Sequence, residues 1–286
     1  MDTLTPRDGS WTGDVELTRR SIAIALASGY AVAAFSADAD PIHTDTAGLV
    51  AGMVEIPASD RKIPGYLARP AKPGKRPVLL VNSEIFGVHE WVKDICRRLA
   101  KAGYVALAPD LFVRAGDPSK LTDMGAVMKI VRATPEPQVL SDTRASLAYL
   151  HAQPFADMNR LGVTGFCWGG GATWRDAETF PDFKAAVAWY GPLKPGPYPR
   201  VAPLADVKDL KCPVLGLYGG QDKGISQADV QAMRDAAKAD GKTVEIIVYP
   251  EAQHGFLADY RPSYDKAASE DAWPKMLAWF AKYGVK

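Results

Sequence analysis

Apolar and polar residues alternate along two neighbouring stretches, residues 48–56 and residues 63–69, which a Pro-Ala-Ser-Asp turn separates. A period of two places every second side chain on the same face, as in a strand that buries one face only. Two such stretches joined by a short turn are typical of a hairpin. The pattern therefore predicts two antiparallel strands at the edge of a sheet.

A different pattern begins near residue 77, where short continuous apolar runs alternate with segments of helical period. Continuous runs indicate strands buried on both faces, and their alternation with helices indicates a parallel sheet covered on both sides. The predicted strands are residues 78–81, 104–108, 161–166, 185–190, 214–218 and 243–248, and the predicted helices are residues 90–102, 120–131, 139–151, 227–238 and 267–282. One doubly wound, mostly parallel α/β domain with an N-terminal antiparallel hairpin accounts for residues 40–286.

Proline shapes two segments of this predicted domain. Residues 191–203 include the run Gly-Pro-Leu-Lys-Pro-Gly-Pro-Tyr-Pro, which excludes helix and central strand and predicts an extended loop that borders the functional site. Pro274 falls in the last predicted helix, where a proline predicts either the first turn or a kink.

The first 39 residues have the features of an export signal. Arg19 and Arg20 precede an apolar run over residues 22–35, and the sequence Ala-Asp-Ala at residues 37–39 has the small-x-small form of a cleavage site. This order predicts a twin-arginine signal, the twin-arginine export machinery as a partner, and a periplasmic mature protein. The run is shorter than the about 20 residues of a stable membrane anchor. The alternative is a cytoplasmic protein whose N-terminal helix packs on the domain.

Composition narrows the class of partner. The chain of 286 residues is 47% hydrophobic and 23% charged with a net charge of +1, which is typical of a soluble globular protein. No basic stretch is interleaved with aromatic residues, so small molecules rather than nucleic acids are the expected partners. The three cysteines and four histidines lack metal-ligand spacing, so no metal or other cofactor is predicted. Cys96 and Cys212 are expected to be unpaired core residues.

The strongest chemical signal is the sequence Gly-Phe-Cys-Trp-Gly, which places Cys167 directly after a predicted strand. A nucleophile elbow needs small residues two positions either side of the nucleophile, here Gly165 and Gly169, because the turn from strand to helix is tight and strained. The helix that follows directs its free N–H groups and positive dipole end toward the thiol. The alternative is a structural cysteine in a glycine-rich turn.

Two further residues lie where a catalytic triad requires them. Asp222 follows the predicted strand at residues 214–218, and His254 follows the one at residues 243–248. This matches the order nucleophile, acid, histidine of α/β-hydrolase sheets, whose sites lie at the carboxyl ends of strands. His254 would take the thiol proton while Asp222 orients it. Taken singly, Asp222 would merely bind its own turn and His254 would be an ordinary loop histidine.

From about residue 48 to the C-terminus the chain resembles the dienelactone hydrolase family. The resemblance rests on Asn-Ser-Glu-Ile-Phe-Gly at residues 82–87, Ala-Pro-Asp-Leu-Phe-Val-Arg at residues 108–114, the elbow around Cys167, and the two loops of the acid and the histidine. It implies an α/β-hydrolase fold and a hydrolase that opens a lactone or small ester through a Cys-His-Asp triad and a thioester. A generalist carboxylesterase and a non-catalytic ligand-binding module on the same fold are the alternatives.

The resemblance also implies roles around the nucleophile. Glu84 would accept a hydrogen bond from the resting thiol and keep Cys167 neutral until substrate displaces the carboxylate. The backbone N–H groups of Ile85 and Trp168 would form the oxyanion hole.

Substrate binding is where the chain departs from the family pattern. The resemblance implies that Arg114 binds the substrate carboxylate, as a planar bidentate donor can. Members specialised for dienelactone carry a second arginine four residues after the catalytic histidine, where this chain has Ala258. Arg261 is near enough in sequence to replace it. The departure widens the expected substrates to other lactones, esters or thioesters.

Overall fold

The computed structural model describes residues 41–286, so the predicted export signal of residues 1–39 lies outside the described residues. Eight strands form one sheet in the order β1-β2-β4-β3-β5-β6-β7-β8. The strands are β1 (Leu49–Pro57), β2 (Lys62–Pro70), β3 (Arg76–Asn82), β4 (Val105–Pro109), β5 (Ala156–Phe166), β6 (Ala185–Trp189), β7 (Val214–Gly219) and β8 (Val244–Tyr249).

The predicted hairpin is confirmed. Strands β1 and β2 pair antiparallel with Leu49 opposite Pro70 and Pro57 opposite Lys62. β1 occupies the edge of the sheet and has a single buried residue, Ile56, which explains its alternating pattern.

The other six strands run parallel to one another, and β2 joins them by antiparallel pairing with β4. Every residue of β4, β6 and β7 is buried, as their continuous apolar runs predict. The long helices are α1 (Glu90–Lys101), α2 (Met124–Arg132), α3 (Glu136–His151), α4 (Trp168–Thr179), α5 (Gln227–Ala239) and α6 (Lys266–Lys282). Within residues 41–286, no helix combines the length and apolar character needed to cross a bilayer.

Helices α4 and α6 cover opposite faces of the sheet. A Cβ added to Gly162 of β5 would lie 2.7 Å from Phe280 of α6, whereas one added to Gly165 would lie 2.6 Å from Thr173 of α4. Residues three apart on a strand point to opposite faces, so the two helices enclose the sheet between them. This doubly covered sheet is the predicted α/β architecture.

Pro274 lies near the middle of α6, which excludes the first turn and leaves the kink as the prediction. One local detail differs from the prediction. The helix predicted from residue 120 is divided, because Pro118–Lys120 forms a separate 3-10 turn and α2 begins only after Asp123. The Asp123 side chain accepts a hydrogen bond from the Ala126 N–H at 2.7 Å, and this cap fixes the start of α2.

Candidate active site

Cys167 lies in the turn between β5 and α4 and has a backbone φ of 56°. A positive φ is rare for a residue with a side chain and stores strain that the surrounding structure must hold. A Cβ on Gly165 would overlap the Gly169 carbonyl oxygen, and one on Gly169 would overlap the carbonyl oxygens of Asn82 and Ser83. The two glycines are therefore required by close packing, and the predicted elbow geometry is confirmed.

The loops after β7 and β8 bring Asp222 and His254 together. His254 Nδ1 lies 2.7 Å from Asp222 Oδ2. The other carboxylate oxygen, Oδ1, accepts the N–H groups of Gly224 at 2.8 Å and Ile225 at 3.1 Å. Asp222 thus binds its own turn and the histidine at the same time, and the turn holds the carboxylate in the position that orients His254.

The surroundings of His254 favour its protonated form. Burial opposes protonation, but a thiolate at Cys167 and the hydrogen bonds to Asp222 and Cys167 raise the pKa of His254 to about 10. The Tyr190 ring meets the imidazole edge to face with 5.2 Å between ring centres. An imidazolium formed by taking the thiol proton would therefore be stabilised in place.

Cys167, Asp222 and His254 open onto one cleft of about 630 Å³. This volume is within the range of small-molecule sites, which is about 300–1,000 Å³. One wall is the proline-rich loop, which confirms that this loop borders the site. The wall residues are Pro192, Leu193, Lys194, Pro195, Gly196, Pro197 and Tyr198.

The two amides expected in the oxyanion hole remain available in the described part of the chain. Neither the Ile85 N–H nor the Trp168 N–H donates to a backbone carbonyl there. Trp168 is the first residue of α4, so its N–H is one of the unpaired donors at the helix start. The oxyanion hole itself stays a prediction.

Glu84 does not have the partner that was expected. Its Oε2 accepts a hydrogen bond from Tyr260 Oη at 2.5 Å, its Oε1 lies 3.1 Å from Arg261 Nη2, and His89 Nε2 lies 3.7 Å away. Among residues 41–286, no hydrogen bond joins Glu84 to Cys167. Burial favours the neutral acid, but Arg261 and the neighbouring donors lower the pKa of Glu84 to about 2. The carboxylate is therefore ionised and engaged by Arg261 and Tyr260 instead of the thiol.

The structure also corrects the expectation for Arg114. Its Nε and Nη2 bind the Asp60 carboxylate at 2.8 Å and 2.6 Å, and its Nη1 binds Asp142 at 2.6 Å. Arg114 is not among the residues that line the cleft. Because its three nitrogens bind protein carboxylates, the geometry gives Arg114 a structural role. Arg261 does point inward, but toward Glu84, and Ala258 is fully buried.

The remaining titratable side chains offer no second reactive centre within residues 41–286. Residues 41–286 contain no group of three or more His, Cys, Asp or Glu side chains placed to hold a metal ion. Cys96 and Cys212 are buried and unpaired, and burial raises the pKa of both thiols. They are core residues, as predicted.

The sequence reasoning missed three residues of the site. Tyr260 and His89 surround Glu84, and Tyr190 packs against His254 with a backbone φ of 37°. Tyr190 directly follows β6. Because sites in α/β sheets lie at the carboxyl ends of the strands, this position could have identified Tyr190 as a site residue. Nothing in the spacing of His89 or Tyr260 indicates that they converge on Glu84.

The eight-stranded sheet and the elbow that ends β5 define the class as an α/β hydrolase. A model of the dienelactone hydrolase family matches residues 63–284. The chain belongs to the dienelactone hydrolase family, and it is a hydrolase.

Its relatives agree with this assignment over nearly their full length. The chain is 49% identical to a proposed carboxymethylenebutenolidase of Methylorubrum extorquens, over 96% of this chain and 97% of that one. It is 47% identical to another from Escherichia coli K12, over 91% and 97%. A crystal structure of a proposed dienelactone hydrolase from Klebsiella pneumoniae superposes with a TM-score of 0.78 at 46% identity, covering 82% of this chain and 99% of that one.

Proposed function

We propose that the protein hydrolyses lactones or small esters by transferring the acyl group to Cys167. The observation that carries this proposal is the 2.7 Å contact of His254 with Asp222 beside a strained cysteine at the start of α4. The names of the relatives, carboxymethylenebutenolidase and dienelactone hydrolase, support the substrate class.

In the first half-reaction His254 takes the thiol proton and the Cys167 sulfur attacks the carbonyl carbon. The Ile85 and Trp168 amides stabilise the negative oxygen of the tetrahedral intermediate. The intermediate collapses when the carbon–oxygen bond to the alkoxide breaks and His254 donates its proton to that oxygen. In a lactone, the released alcohol remains attached to the acyl group.

In the second half-reaction His254 acts as a general base toward water. The activated water attacks the thioester carbonyl carbon, the same amides hold the oxyanion, and the carbon–sulfur bond breaks. Cys167 leaves as thiolate and recovers its proton from His254. Asp222 keeps the tautomer and orientation of the imidazole constant through both steps.

The placement of the arginines favours a substrate range that includes neutral esters. Arg114 binds Asp60 and Asp142, and Arg261 binds Glu84, so neither faces the cleft as a free carboxylate receptor. A generalist carboxylesterase activity is therefore the second candidate within the same mechanism.

Matched substrates separate the two candidates. We expect kcat/KM for neutral lactones and p-nitrophenyl esters to equal or exceed that for lactones carrying a carboxylate. A strong preference for the carboxylate-bearing lactones would restore the narrow dienelactone specificity. No turnover of either class would overturn the proposed function.

Export through the twin-arginine pathway is proposed separately, on the sequence of residues 1–39 alone. Mass measurement of the protein recovered from the periplasm should give a chain that begins near residue 40. An uncleaved chain confined to the cytoplasm would contradict it, and an Arg19→Lys/Arg20→Lys variant should remain inside the cell.

A further inference from the structure

Asn82 and Asp176 form a buried hydrogen bond that the proposed mechanism does not use. Asn82 is the last residue of β3, and its Nδ2 donates to Asp176 Oδ2 of α4 at 2.8 Å. The same nitrogen donates to Thr173 Oγ1 at 3.2 Å, and Thr173 in turn donates to the Gly169 carbonyl oxygen at 2.9 Å. The three side chains are buried. A chain of hydrogen bonds therefore joins the end of β3 to the first turns of α4.

The α4 residues of this network share one face of the helix. Gly169, Thr173 and Asp176 are spaced by four and three residues, which places them in a row along that face. The row lies directly against the end of β3, because a Cβ on Gly169 would lie 2.3 Å from the Asn82 carbonyl oxygen. No side chain fits at this closest contact. The side-chain hydrogen bonds of Asn82 therefore supply the directional link between the two elements here.

A buried carboxylate is a costly link between a strand and a helix. No salt bridge within residues 41–286 includes Asp176, and its neighbour Arg175 binds three other carboxylates. Burial raises the pKa of Asp176 to about 7, although the Asn82 and Thr143 donors and the charge of Arg175 oppose this shift. Two apolar side chains of similar size could pack in the same place at little cost in stability. Stability alone therefore does not account for the polar pair.

The two elements that this hydrogen bond joins carry the two amides of the proposed oxyanion hole. Ile85 follows Asn82 by three residues, and Trp168 directly precedes Gly169. Because the amides come from different elements, their separation depends on how the end of β3 is held against the start of α4. An oxyanion hole requires donors that are already in place, and a misplacement of about 1 Å can cost a factor of about 10² in rate.

We propose that Asn82 and Asp176 are positioning residues whose hydrogen bond fixes the Ile85 amide relative to the Trp168 amide. The inference rests on the proposed role of these two amides in the reaction. Neither Asn82 nor Asp176 lines the cleft, and neither exchanges a proton in the mechanism. Because both half-reactions form an oxyanion, the hydrogen bond affects kcat whichever half-reaction limits the rate.

The test compares Asn82→Leu, Asp176→Leu, the double variant Asn82→Leu/Asp176→Leu and Asp176→Asn with the wild type. Leucine removes the hydrogen bond and keeps a side chain of similar size, and the double variant leaves neither partner unpaired. Asp176→Asn retains an oxygen that can accept from Asn82. Thr143→Val is the matched control. It removes the 3.2 Å hydrogen bond from Thr143 Oγ1 to Asp176 Oδ1, whose donor lies on α3 and not on β3.

Two reactions of Cys167 are measured for each variant. The values of kcat and KM for p-nitrophenyl acetate describe a reaction that forms an oxyanion. The rate of Cys167 alkylation by iodoacetamide, followed by peptide mass, describes the thiol alone, because displacement of iodide forms no oxyanion. Urea denaturation shows whether lost activity reflects lost stability.

We expect kcat to fall about tenfold in both leucine variants and in the double variant, while KM changes by less than about twofold. Alkylation should keep its wild-type rate, because the thiol and His254 stay in place. Asp176→Asn and Thr143→Val should retain most of the wild-type kcat. The double variant should unfold at about the same urea concentration as the wild type, so that it separates positioning from stability even if a single leucine variant fails to fold.

Four results would overturn the inference: wild-type kcat in the double variant, a double variant that does not fold, alkylation that slows as much as turnover, or a Thr143→Val variant as slow as Asp176→Leu. The second would make the hydrogen bond structural, and the third would mean that the thiol itself has moved. Failure of the proposed function is recognisable in the wild type alone, as turnover that persists after Cys167 has been fully alkylated.

Discussion

Asp222 and Glu84 are both buried carboxylates that hold a cationic side chain near Cys167, but the two pairs differ in what the cation can do. His254 is 30% exposed, lines the cleft and can release a proton. Arg261 is 14% exposed, does not line the cleft, and Glu84 raises its pKa despite the opposing effect of burial. Under the proposed mechanism, the same kind of ion pair serves proton transfer on one side and fixed electrostatics on the other.

If the proposed mechanism holds, burial alone does not identify the carboxylate that takes part in catalysis. Glu84 is the more deeply enclosed group, and its pKa is strongly perturbed. What distinguishes Asp222 is its partner: an imidazole with a second nitrogen free to face the nucleophile. Single substitutions in the Asp222–His254 pair and in the Glu84–Arg261 pair test this difference.

The largest effect is expected from His254→Gln. The substitution removes the general base but leaves a side chain of similar size, and kcat/KM should fall roughly 10³-fold. Steady-state kinetics with a p-nitrophenyl ester measures it. His151→Gln, an exposed histidine at the end of α3, is the matched control and should behave like the wild type. A His254→Gln enzyme within tenfold of wild type would remove His254 from the proton pathway.

Arg261→Met should reduce stability more than it alters the chemistry. It leaves the fully buried Glu84 without its cation, and the free energy of unfolding should fall by about 3–5 kcal/mol. Urea denaturation at pH 7 provides the measurement. The double variant Glu84→Gln/Arg261→Met should recover part of this loss, because no unpaired charge remains. Equal stability of Arg261→Met and wild type would show that the pair contributes nothing.

Glu84 and His254 should also lose their contributions to stability at opposite ends of the pH range. The pKa of Glu84 is lowered from 4.5 to about 2, so its contribution to stability is present above about pH 4.5 and is lost as pH falls through about 2. The pKa of His254 is raised from 6.5 to about 10, so its contribution is complete below about pH 6.5 and is lost as pH rises through about 10.

Urea denaturation across pH tests this contrast with the variants as controls. Glu84→Gln should flatten only the acidic limb of the stability curve, and His254→Gln only the alkaline limb. If both variants kept the wild-type slopes, Glu84 and His254 would not be the groups that make stability depend on pH in these two ranges.

The smallest effect on turnover is expected from Arg114→Ala. Because Arg114 binds Asp60 and Asp142 rather than the cleft, KM should change equally for neutral and carboxylate-bearing substrates. The free energy of unfolding should fall, because Asp142 is fully buried and would lose its cation. A rise in KM confined to anionic lactones would return Arg114 to substrate binding.

Sequence patterns predicted the parts of this molecule that depend on neighbouring residues. The hairpin follows from alternation within residues 48–69, and the elbow follows from Gly165 and Gly169 two residues either side of Cys167. Asp222 and His254 were found because parallel strands place successive loops at one edge of the sheet.

The remainder of the site depends on contacts between distant residues that no spacing reveals. Arg114 binds Asp60, which is 54 residues away in the sequence, and Tyr260 binds Glu84, which is 176 residues away. Arginine is a donor to protein carboxylates and to substrate carboxylates alike. Only the folded arrangement shows that protein carboxylates engage both Arg114 and Arg261.

The most direct test of the central claim is to trap the acyl-enzyme. Wild-type enzyme is mixed with p-nitrophenyl acetate, quenched in acid within the first turnovers and digested for peptide mass mapping, with Cys167→Ala treated in parallel. The account predicts an acetyl thioester on the peptide that contains Cys167, and neither label nor turnover in Cys167→Ala. An acetyl group on another residue, or turnover that persists in Cys167→Ala, would contradict it.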